Sequence, residues 1–360
     1  MGTHTVAVVG ATGVVGRTVV RILEERRFPV KRLRLSATAR SAGKTVPFCG
    51  DLVKVEETTA DVLRGADFAF FAAGKEASTR FAWEAAASGT VVIDKSSAFR
   101  MDPRVPLVIP EINGHALAQH QGVISTPNCS TIVMLMALWP LHRAARVRRA
   151  VVATYQSVSG AGDAAVDALR RETDALAGRA DLLEGGATTE AVEVVSGTAK
   201  PIAFNVLFQW KFEEDGATDE EQKMIAETEK IAGEPIAIAP TTVRVPVVVG
   251  HGMSISAEFE HDLSPEEARE VLARFPGVEV WDDPKKDHYP TPLLTAGRDP
   301  VYVGRIRRDP TVACGLHLWA VGDNLRKGAA LNAVQIAEAL IGSAGTAPRP
   351  AGVVESKVSW

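Results

Sequence analysis

The segment TVAVVGATGVVG, residues Thr5–Gly16, decides the fold class of this 360-residue chain. An apolar strand over Thr5–Val9 runs directly into glycines at steps of three, Gly10, Gly13 and Gly16. Glycines at this spacing let the backbone turn tightly and let a pyrophosphate approach the N-terminus of the following helix. We therefore predict a strand, turn and helix that bind a dinucleotide. A glycine-rich turn without a ligand is the alternative interpretation.

Apolar strands and amphipathic helices alternate beyond this turn. The predicted strands are Arg32–Leu35, Phe68–Ala72, Val91–Asp94, Leu107–Pro110 and Val123–Thr126. One predicted helix follows the glycines and ends near Arg26, and a second spans Glu76–Ser88. Such alternation is typical of an α/β domain with a Rossmann-like, doubly wound parallel sheet that helices cover on both faces. We place this dinucleotide-binding domain at residues 1–132.

The pattern changes from about Val133 to that of a second, α+β domain, placed at residues 133–324. Its predicted strands are Arg149–Val158, Val243–Val249, Ile255–Glu260, Val301–Arg307 and Ala313–Val321, and its predicted helices are Ala164–Ala177 and Asp219–Ala232. These strands suit a mixed or antiparallel sheet. A final amphipathic helix at Leu325–Ile341 is expected to return to the first domain, which residues 325–343 complete. The tail at 344–360 is expected to be loose.

Composition limits the possible partners. A net charge of −4 offers no basic field for nucleic acid or an anionic membrane, and charged residues or glycine interrupt every apolar run before it could span a bilayer. The N-terminus lacks a signal-peptide core. Cys49, Cys129 and Cys314 lie far apart, which favours a reducing cytoplasm over a disulfide framework. No His or Cys spacing indicates a metal site.

A candidate nucleophile stands in the segment STPNCST, residues 125–131. Pro127 and Asn128 predict a tight turn, and Ser130 begins a helix. Cys129 then lies at the positive end of the helix dipole, which is expected to stabilise a thiolate. It also follows the last strand of the first domain, where such sheets bind ligands. The alternative is that Cys129 is a small buried apolar residue.

The loop after the second strand bears on the choice of cofactor. An NAD site would carry an acidic residue there for the ribose 2′-hydroxyl, and none is present. Arg40 and Ser41, with Lys44 as a further candidate, instead offer a charge-assisted site for a 2′-phosphate. The sequence therefore favours NADP over NAD, although a basic surface loop would look the same.

A pyridine nucleotide and a nucleophilic cysteine together suggest thioester chemistry, in which attack on a carbonyl precedes hydride transfer. The segment RVPVVVGH offers Arg244 as an anion anchor and His251 as an acid or base. Seven residues apart on a straight strand, these two would face opposite ways, so we predict a bend near Gly250. Glu220 and Lys223 share one helix face. A structural histidine and a solvated charge pair are the alternatives.

Ten motifs along the chain resemble those of aspartate-semialdehyde dehydrogenases. They are VAVVGATGVVG, SSAFRMD, TPNCSTI, YQSVSGAG, IAFNV, EEQKM, RVPVVVGHG, YPTPL, VYVGRIR and DNLRKGAALNAVQIAE. The resemblance implies NADP-dependent reductive dephosphorylation of aspartyl phosphate to aspartate semialdehyde through a cysteine thioester. This reaction belongs to lysine, threonine and methionine biosynthesis. The resemblance further implies a cytoplasmic homodimer or homotetramer, assembled through the second domain.

The resemblance also implies a role for each matching position. Cys129 would be the nucleophile, His251 the acid or base, Gln156 the group that orients the substrate, and Asn128 the neighbour of the nucleophile. Glu220 and Arg244 would bind the amino and carboxylate ends of the substrate, and Arg100 and Lys223 its phosphate. The implied cofactor contacts are Gly10, Thr12, Gly13, Val14, Val15, Arg40, Ser41, Ser159, Gly160 and Asn324.

The chain departs from the family pattern close to these positions. Lys95 replaces the usual Asn, Lys75 lies in a segment that is usually SAGGS, and Gly252-Met253 follows the histidine in place of Ser-Glu. The segment at residues 207–210 is bulkier than usual. A different acyl phosphate or semialdehyde is therefore an open alternative substrate.

The sequence disfavours three other functions. An N-acetyl-glutamyl-phosphate reductase is disfavoured by the PNCST motif and by the helix that carries Glu220 and Lys223. A short-chain dehydrogenase needs Tyr-x-x-x-Lys, and none of the three tyrosines has a lysine four residues on. A catalytically silent paralogue that acts as a binding subunit is disfavoured because the candidate catalytic residues occur together.

Overall fold

The computed structural model describes residues 2–208 and 210–343. The tail predicted to be loose lies outside these residues. Within the described part, two sheets each form the centre of an α/β layer structure.

The first sheet carries the glycine-rich turn at its centre. Its strands are β1 (His4–Val9), β2 (Val30–Ala37), β3 (Thr45–Phe48), β4 (Asp51–Glu57), β5 (Phe68–Phe71), β6 (Val91–Asp94) and β7 (Val123–Ser125). They lie in the order β3-β4-β2-β1-β5-β6-β7, and all neighbours are parallel except β3 and β4. The order reverses at β1, where β2 and β5 lie on opposite sides. The doubly wound sheet is therefore confirmed, with its ligand crevice at this switch point.

Two predictions for this sheet fail for identifiable reasons. Leu107–Pro110 is not a strand, since only Leu107 bridges to Ser125 and Pro110 already begins a helix. Proline at residues 106 and 110 removes ladder donors on both sides of this short run. The hairpin of β3 and β4 was not predicted, because its charged, mostly exposed residues hide the apolar alternation.

Helices cover both faces of this sheet. They are α1 (Val14–Glu25), α2 (Ala60–Leu63), α3 (Lys75–Ala87), α4 (Pro110–Asn113) and α12 (Leu331–Ser343), with a π-helical turn at Arg326–Ala330 before α12. Val6 and Val8 of β1 pack with α1 and α12, whereas Ala7 and Val9 face α3. The predicted return of the last helix to the first sheet is confirmed. Its predicted amphipathic character is wrong, because residues 325–334 are buried all round.

The second sheet consists of β8 (Val147–Gln156), β9 (Ala237–Arg244), β10 (His251–Phe259), β11 (Val278–Val280), β12 (Val301–Arg308) and β13 (Gly315–Gly322). Its order is β11-β12-β13-β10-β8-β9, with parallel pairs at both ends and antiparallel pairs between them. The predicted mixed sheet is confirmed. The accompanying helices are α5 (Cys129–Ala145), α6 (Asp163–Leu176), α7 (Ala180–Leu183), α8 (Thr189–Ser196), α9 (Asp219–Ala232), α10 (Pro265–Arg274) and α11 (Pro292–Thr295).

One correction in this sheet positions the functional site. The predicted strand Val243–Val249 is wrong, because β9 ends at Arg244 and β10 begins at His251. The intervening turn contains a proline and ends at Gly250, whose φ of +96° favours glycine. The predicted bend near Gly250 is confirmed. Since β8 lies between β9 and β10, Arg244 and His251 flank its last residue, Gln156, which pairs with Arg244.

No helix among the described residues is long and apolar enough to cross a membrane. The domain boundaries at residues 132 and 324 stay a prediction.

Candidate active site

Cys129 is the first residue of α5 and lies just beyond the end of β7. The turn before it is fixed by Asn128, whose Oδ1 accepts hydrogen bonds from the backbone N–H of Ser130 (2.8 Å) and of Thr131 (3.4 Å). On the other side the π-helical turn approaches closely, since a Cβ at Gly328 would lie 3.0 Å from the Cβ of Cys129. The predicted helix start is confirmed, and the cysteine is held between the two sheets.

His251 faces the cysteine across this gap. Its Nε2 lies 3.2 Å from the Sγ of Cys129, and the backbone N–H of Ser157 donates to its Nδ1 over 3.1 Å. Because a backbone N–H can only donate, Nδ1 must be the accepting nitrogen. The proton of the neutral imidazole ring is therefore assigned to Nε2, from which it points at the sulfur. His251 is arranged to donate a hydrogen bond to the Cys129 sulfur.

The charge states of this pair follow from their surroundings. Burial lowers the pKa of His251 well below its usual value, and the positive charges of Arg244 and Lys95 lower it further. Burial raises the pKa of the Cys129 thiol, and the Glu220 carboxylate raises it further. The resting pair is thus a thiol and a neutral imidazole.

The helix start at Cys129 was predicted to stabilise a thiolate, and in the resting state burial and the Glu220 carboxylate oppose that effect by raising the thiol pKa. Asn128 already occupies the first N–H groups of α5, so those donors are not free for the sulfur. Three cations oppose the rise in the thiol pKa, in the order Lys95, Arg244 and Arg100. Burial and then the surrounding side-chain charges therefore set how readily this cysteine ionises.

Glu220 gathers the polar groups on the far side of the cysteine. Its Oε1 accepts from the Nδ2 of Asn128 over 3.0 Å and from the Nε2 of Gln156 over 3.3 Å. The carboxylate is almost fully buried, and the first turn of its helix is fixed by a capping box between Thr218 and Glu221. The structure thus brings Cys129, Asn128, Gln156 and Glu220 together. A buried carboxylate beside the nucleophile suits a cationic group of a substrate.

Arg244 offers donors on the same side of the site. Its Nη1 donates to the Ser157 carbonyl over 2.7 Å, while its buried Nε has no partner among the described residues. The ring of Trp210 lies 4.7 Å from the guanidinium carbon, in cation–π contact. Gly160 comes close as well, since a Cβ there would lie 3.3 Å from Nη1. An incompletely satisfied, buried guanidinium is suited to a bidentate carboxylate.

The two predicted phosphate residues are both engaged with the protein. Arg100 donates to Glu227 (2.9 Å), to the Lys95 carbonyl (2.9 Å) and to the Thr126 carbonyl (3.1 Å). An Arg has five N–H groups, so two remain for a ligand. Lys223 pairs with Asp219 at 2.6 Å and lies 3.9 Å from Glu220. Their contact with phosphate stays a prediction.

Glu227 is a site residue that sequence reasoning missed. Besides its ion pair with Arg100, its Oε2 accepts from the backbone N–H of Asn128 over 2.6 Å. Its side chain is only 1% exposed. The signal was available in the sequence, because a residue seven positions after Glu220 lies on the same face of α9. Ser157, which fixes the tautomer of His251, was likewise overlooked beside Gln156.

The geometry of the glycine-rich turn fits a bound dinucleotide. Gly10 has a φ of +80°, and a Cβ there would lie 2.9 Å from the Ala72 backbone, while one at Gly16 would lie 2.1 Å from the Gly10 carbonyl oxygen. Helix α1 begins after Gly13 with no side-chain cap. Its first N–H groups are therefore open to an anion, flanked by Thr12, Val14 and Val15.

The remaining cofactor candidates fall into two groups. Arg40 is exposed after β2, beside the switch point, whereas Ser41 is buried. Asn324 lies at the catalytic end, where its Nδ2 donates to the Ser159 Oγ over 3.0 Å and its Oδ1 accepts from the Gly250 N–H over 2.9 Å. Asn324 thus holds the turn that precedes His251. Contact of each candidate with the cofactor stays a prediction.

Together, the doubly wound sheet and its open helix start define a dinucleotide-binding protein, in which a second sheet brings His251 next to Cys129. Comparison with known proteins gives the family. Residues 5–120 match the model of the semialdehyde dehydrogenase NAD binding domain, and residues 138–327 match the semialdehyde dehydrogenase dimerisation domain. The chain belongs to the aspartate-semialdehyde dehydrogenase family.

Individual relatives agree over nearly the whole chain. The aspartate-semialdehyde dehydrogenase of Aquifex aeolicus is 48% identical over 94% of this chain and 98% of its own length. That of Bacillus subtilis is 44% identical over 94% and 97%. The structure of aspartate semialdehyde dehydrogenase II from Vibrio cholerae, complexed with ASA, has a TM-score of 0.85 at 40% identity and covers 95% of this chain and 99% of that one.

Proposed function

We propose that this chain catalyses the NADP-dependent reductive dephosphorylation of aspartyl phosphate to aspartate semialdehyde, with Cys129 as the nucleophile. The family supports the reaction. The observation that carries the residue assignment is the 3.2 Å contact between the Cys129 Sγ and the His251 Nε2, beside Glu220 and Arg244. A carboxylate and a guanidinium beside the nucleophile match an amino acid substrate, which carries one charge of each sign.

The proposed first step is acyl transfer to the cysteine. The Sγ of Cys129 attacks the acyl carbon of aspartyl phosphate, a C–S bond forms, and the bond between that carbon and the phosphate oxygen breaks. The thiol proton leaves with the departing phosphate, which is released as hydrogen phosphate. Glu220 holds the substrate ammonium and Arg244 its carboxylate, so the acyl carbon is presented to the sulfur.

The proposed second step reduces the thioester. NADP suits the open start of α1 and Arg40, and when bound in its reduced form it supplies a hydride to the thioester carbon. The C–S bond of the resulting thiohemiacetal then breaks and releases the aldehyde. His251 donates its Nε2 proton in a hydrogen bond to the departing sulfur, which stabilises the thiolate until it regains a proton from solvent.

The test is an assay of the purified chain in the phosphorylating direction, with aspartate semialdehyde, NADP and phosphate. Turnover that disappears in a Cys129→Ala variant supports the proposal. Glutamate semialdehyde, one methylene longer, tests the alternative substrate that Trp210 and the other departures leave open. No turnover with aspartate semialdehyde above the Cys129→Ala control would sink the assignment.

We further propose a homodimer or homotetramer, assembled through the second domain, that works in a reducing, cytoplasmic compartment. The family match to a dimerisation domain at residues 138–327 supports assembly. Four apolar side chains of that region are between 53% and 56% exposed, namely Phe204, Val206, Phe208 and Phe212. Exposed apolar residues in such a group are typical of an interface. Sedimentation of the purified chain as a monomer at all concentrations would contradict the proposal.

A further inference from the structure

Lys95 is a cation at the centre of the molecule that the proposed reaction does not use. It directly follows β6, at the carboxyl edge of the first sheet. Its backbone is fixed on both sides, because its N–H donates to the Phe71 carbonyl over 3.0 Å and its own carbonyl accepts from Arg100 over 2.9 Å. The chain around Lys95 therefore cannot swing away from the site.

The side chain of Lys95 lies against the π-helical turn, whose Gly328 also approaches Cys129. It is half-buried and lines a narrow crevice with Val15 of α1, Ala72 and Ala330 of the π-helical turn. Within the described residues its ammonium makes no hydrogen bond and no salt bridge. Burial lowers the pKa of Lys95, and the charges that oppose this are those of Cys129, Glu220 and Asp94. A partly buried ammonium without a hydrogen-bond partner among the described residues is therefore electrostatically coupled to the Cys129 thiol.

The other groups around the sulfur cannot supply its counter-charge in the same way. His251 is held neutral, with Nδ1 accepting from the Ser157 N–H, so it offers a hydrogen bond but no positive charge. Arg100 is paired with Glu227, and Arg244 is shared with the Ser157 carbonyl and Trp210. Glu220 adds a negative charge. Among the cations near Cys129, only the ammonium of Lys95 makes no hydrogen bond at all in the part of the chain that the structure describes.

We propose that Lys95 is the cationic partner of Cys129, and that its ammonium, rather than an imidazolium at His251, stabilises the thiolate form of the nucleophile. Lys95 acts here as a positioning charge, since no hydrogen bond to the sulfur is present. The inference rests on the proposed role of Cys129, but its test needs neither substrate nor cofactor.

The experiment measures alkylation of Cys129 by iodoacetamide as a function of pH in the full-length chain, with the labelled peptide quantified by mass spectrometry. Loss of the ammonium in Lys95→Met should make the thiolate scarcer, so labelling at neutral pH should slow by about tenfold, the change that follows from one pKa unit. The rate should level off at a higher pH than in the unmodified protein. Lys95→Arg should restore fast labelling, because it keeps the charge.

Lys75 provides the matched control, because it is a second lysine, exposed at the start of α3. Lys75→Met should leave the pH profile unchanged. Lys95→Asn replaces Lys95→Met if the latter fails to fold, and thermal melting of each variant checks this. An unchanged profile in Lys95→Met or Lys95→Asn would overturn the proposal, as would an equal effect from Lys75→Met. Because only the thiol is read, this failure is distinct from an inactive enzyme or a wrong substrate.

Discussion

Two helices begin at the carboxyl edge of the first sheet, and they use their N-termini differently. Helix α1 starts after Gly13 without any side-chain cap, whereas α5 starts after Asn128, whose oxygen accepts from two backbone N–H groups. Both starts carry the same partial positive charge. The open one is free to hold an anion, and the capped one has already satisfied its donors. The N–H donors of α5 are thus less available to Cys129, whose ionisation depends on burial and on neighbouring side-chain charges.

The first prediction concerns the side chain that anchors the capped N-terminus of α5. Glu227 accepts from the Asn128 N–H and pairs with the buried Arg100. Glu227→Ala leaves that guanidinium uncompensated, so the free energy of unfolding should fall by about 3–5 kcal/mol. Denaturant titration measures it. Glu229→Ala, at an exposed position of the same helix, is the control. A loss no larger than that of the control would show that α5 does not need this anchor.

The second prediction adds a capping side chain to the uncapped N-terminus of α1. A Cβ at Gly13 would meet only the Gly10 carbonyl oxygen, at 3.5 Å, so a side chain fits there. Gly13→Asp should place a carboxylate at the proposed site of the cofactor phosphates, and NADP affinity should fall by about 1–2 kcal/mol, or roughly 5- to 30-fold. Calorimetric titration compares it with Gly13→Ala, which adds the Cβ without the charge. Equal affinities in both variants would contradict an anion site at α1.

The third prediction concerns the effect of a neighbouring negative charge on the thiol at the start of α5. The Glu220 carboxylate raises the pKa of the Cys129 thiol, so Glu220→Gln should lower it while keeping an oxygen for Asn128 and Gln156. A lower thiol pKa means more thiolate at neutral pH, and iodoacetamide labelling should accelerate several-fold, up to about tenfold. Labelling rates across pH check the direction. Slower labelling would show that Glu220 acts on the sulfur in some way other than by its charge.

The parts of this molecule that depend on local sequence pattern could be predicted from the sequence. The strand before Gly10, the helix start at Cys129 and the bend near Gly250 each have a short-range cause in glycine, proline or capping chemistry. Residues 243–249 were assigned to a strand because their apolar run hid the effect of a single proline. The hairpin of β3 and β4 was overlooked because its residues are mostly exposed and charged.

The site was harder to predict than the fold, because its electrostatics depend on distant segments. The helix dipole at Cys129 is a local effect, and it predicted a stabilised thiolate. The thiol pKa is raised instead, since burial and Glu220, 91 residues further along the chain, outweigh it. Lys95 was visible only as a departure from the family pattern. Its relation to Cys129 exists only after β6 and β7 lie side by side in the sheet.

The central claim is that Cys129 is the residue that carries the acyl group. The direct measurement mixes the enzyme with aspartate semialdehyde and NADP in the absence of phosphate, and follows NADPH by absorbance and the protein by intact mass. Without phosphate the thioester has no acceptor, so a burst of NADPH equal to the enzyme concentration should accompany an acyl adduct on the peptide that contains Cys129. Phosphate should then discharge the adduct. The same adduct in a Cys129→Ala variant, or a burst without any adduct, would contradict the account.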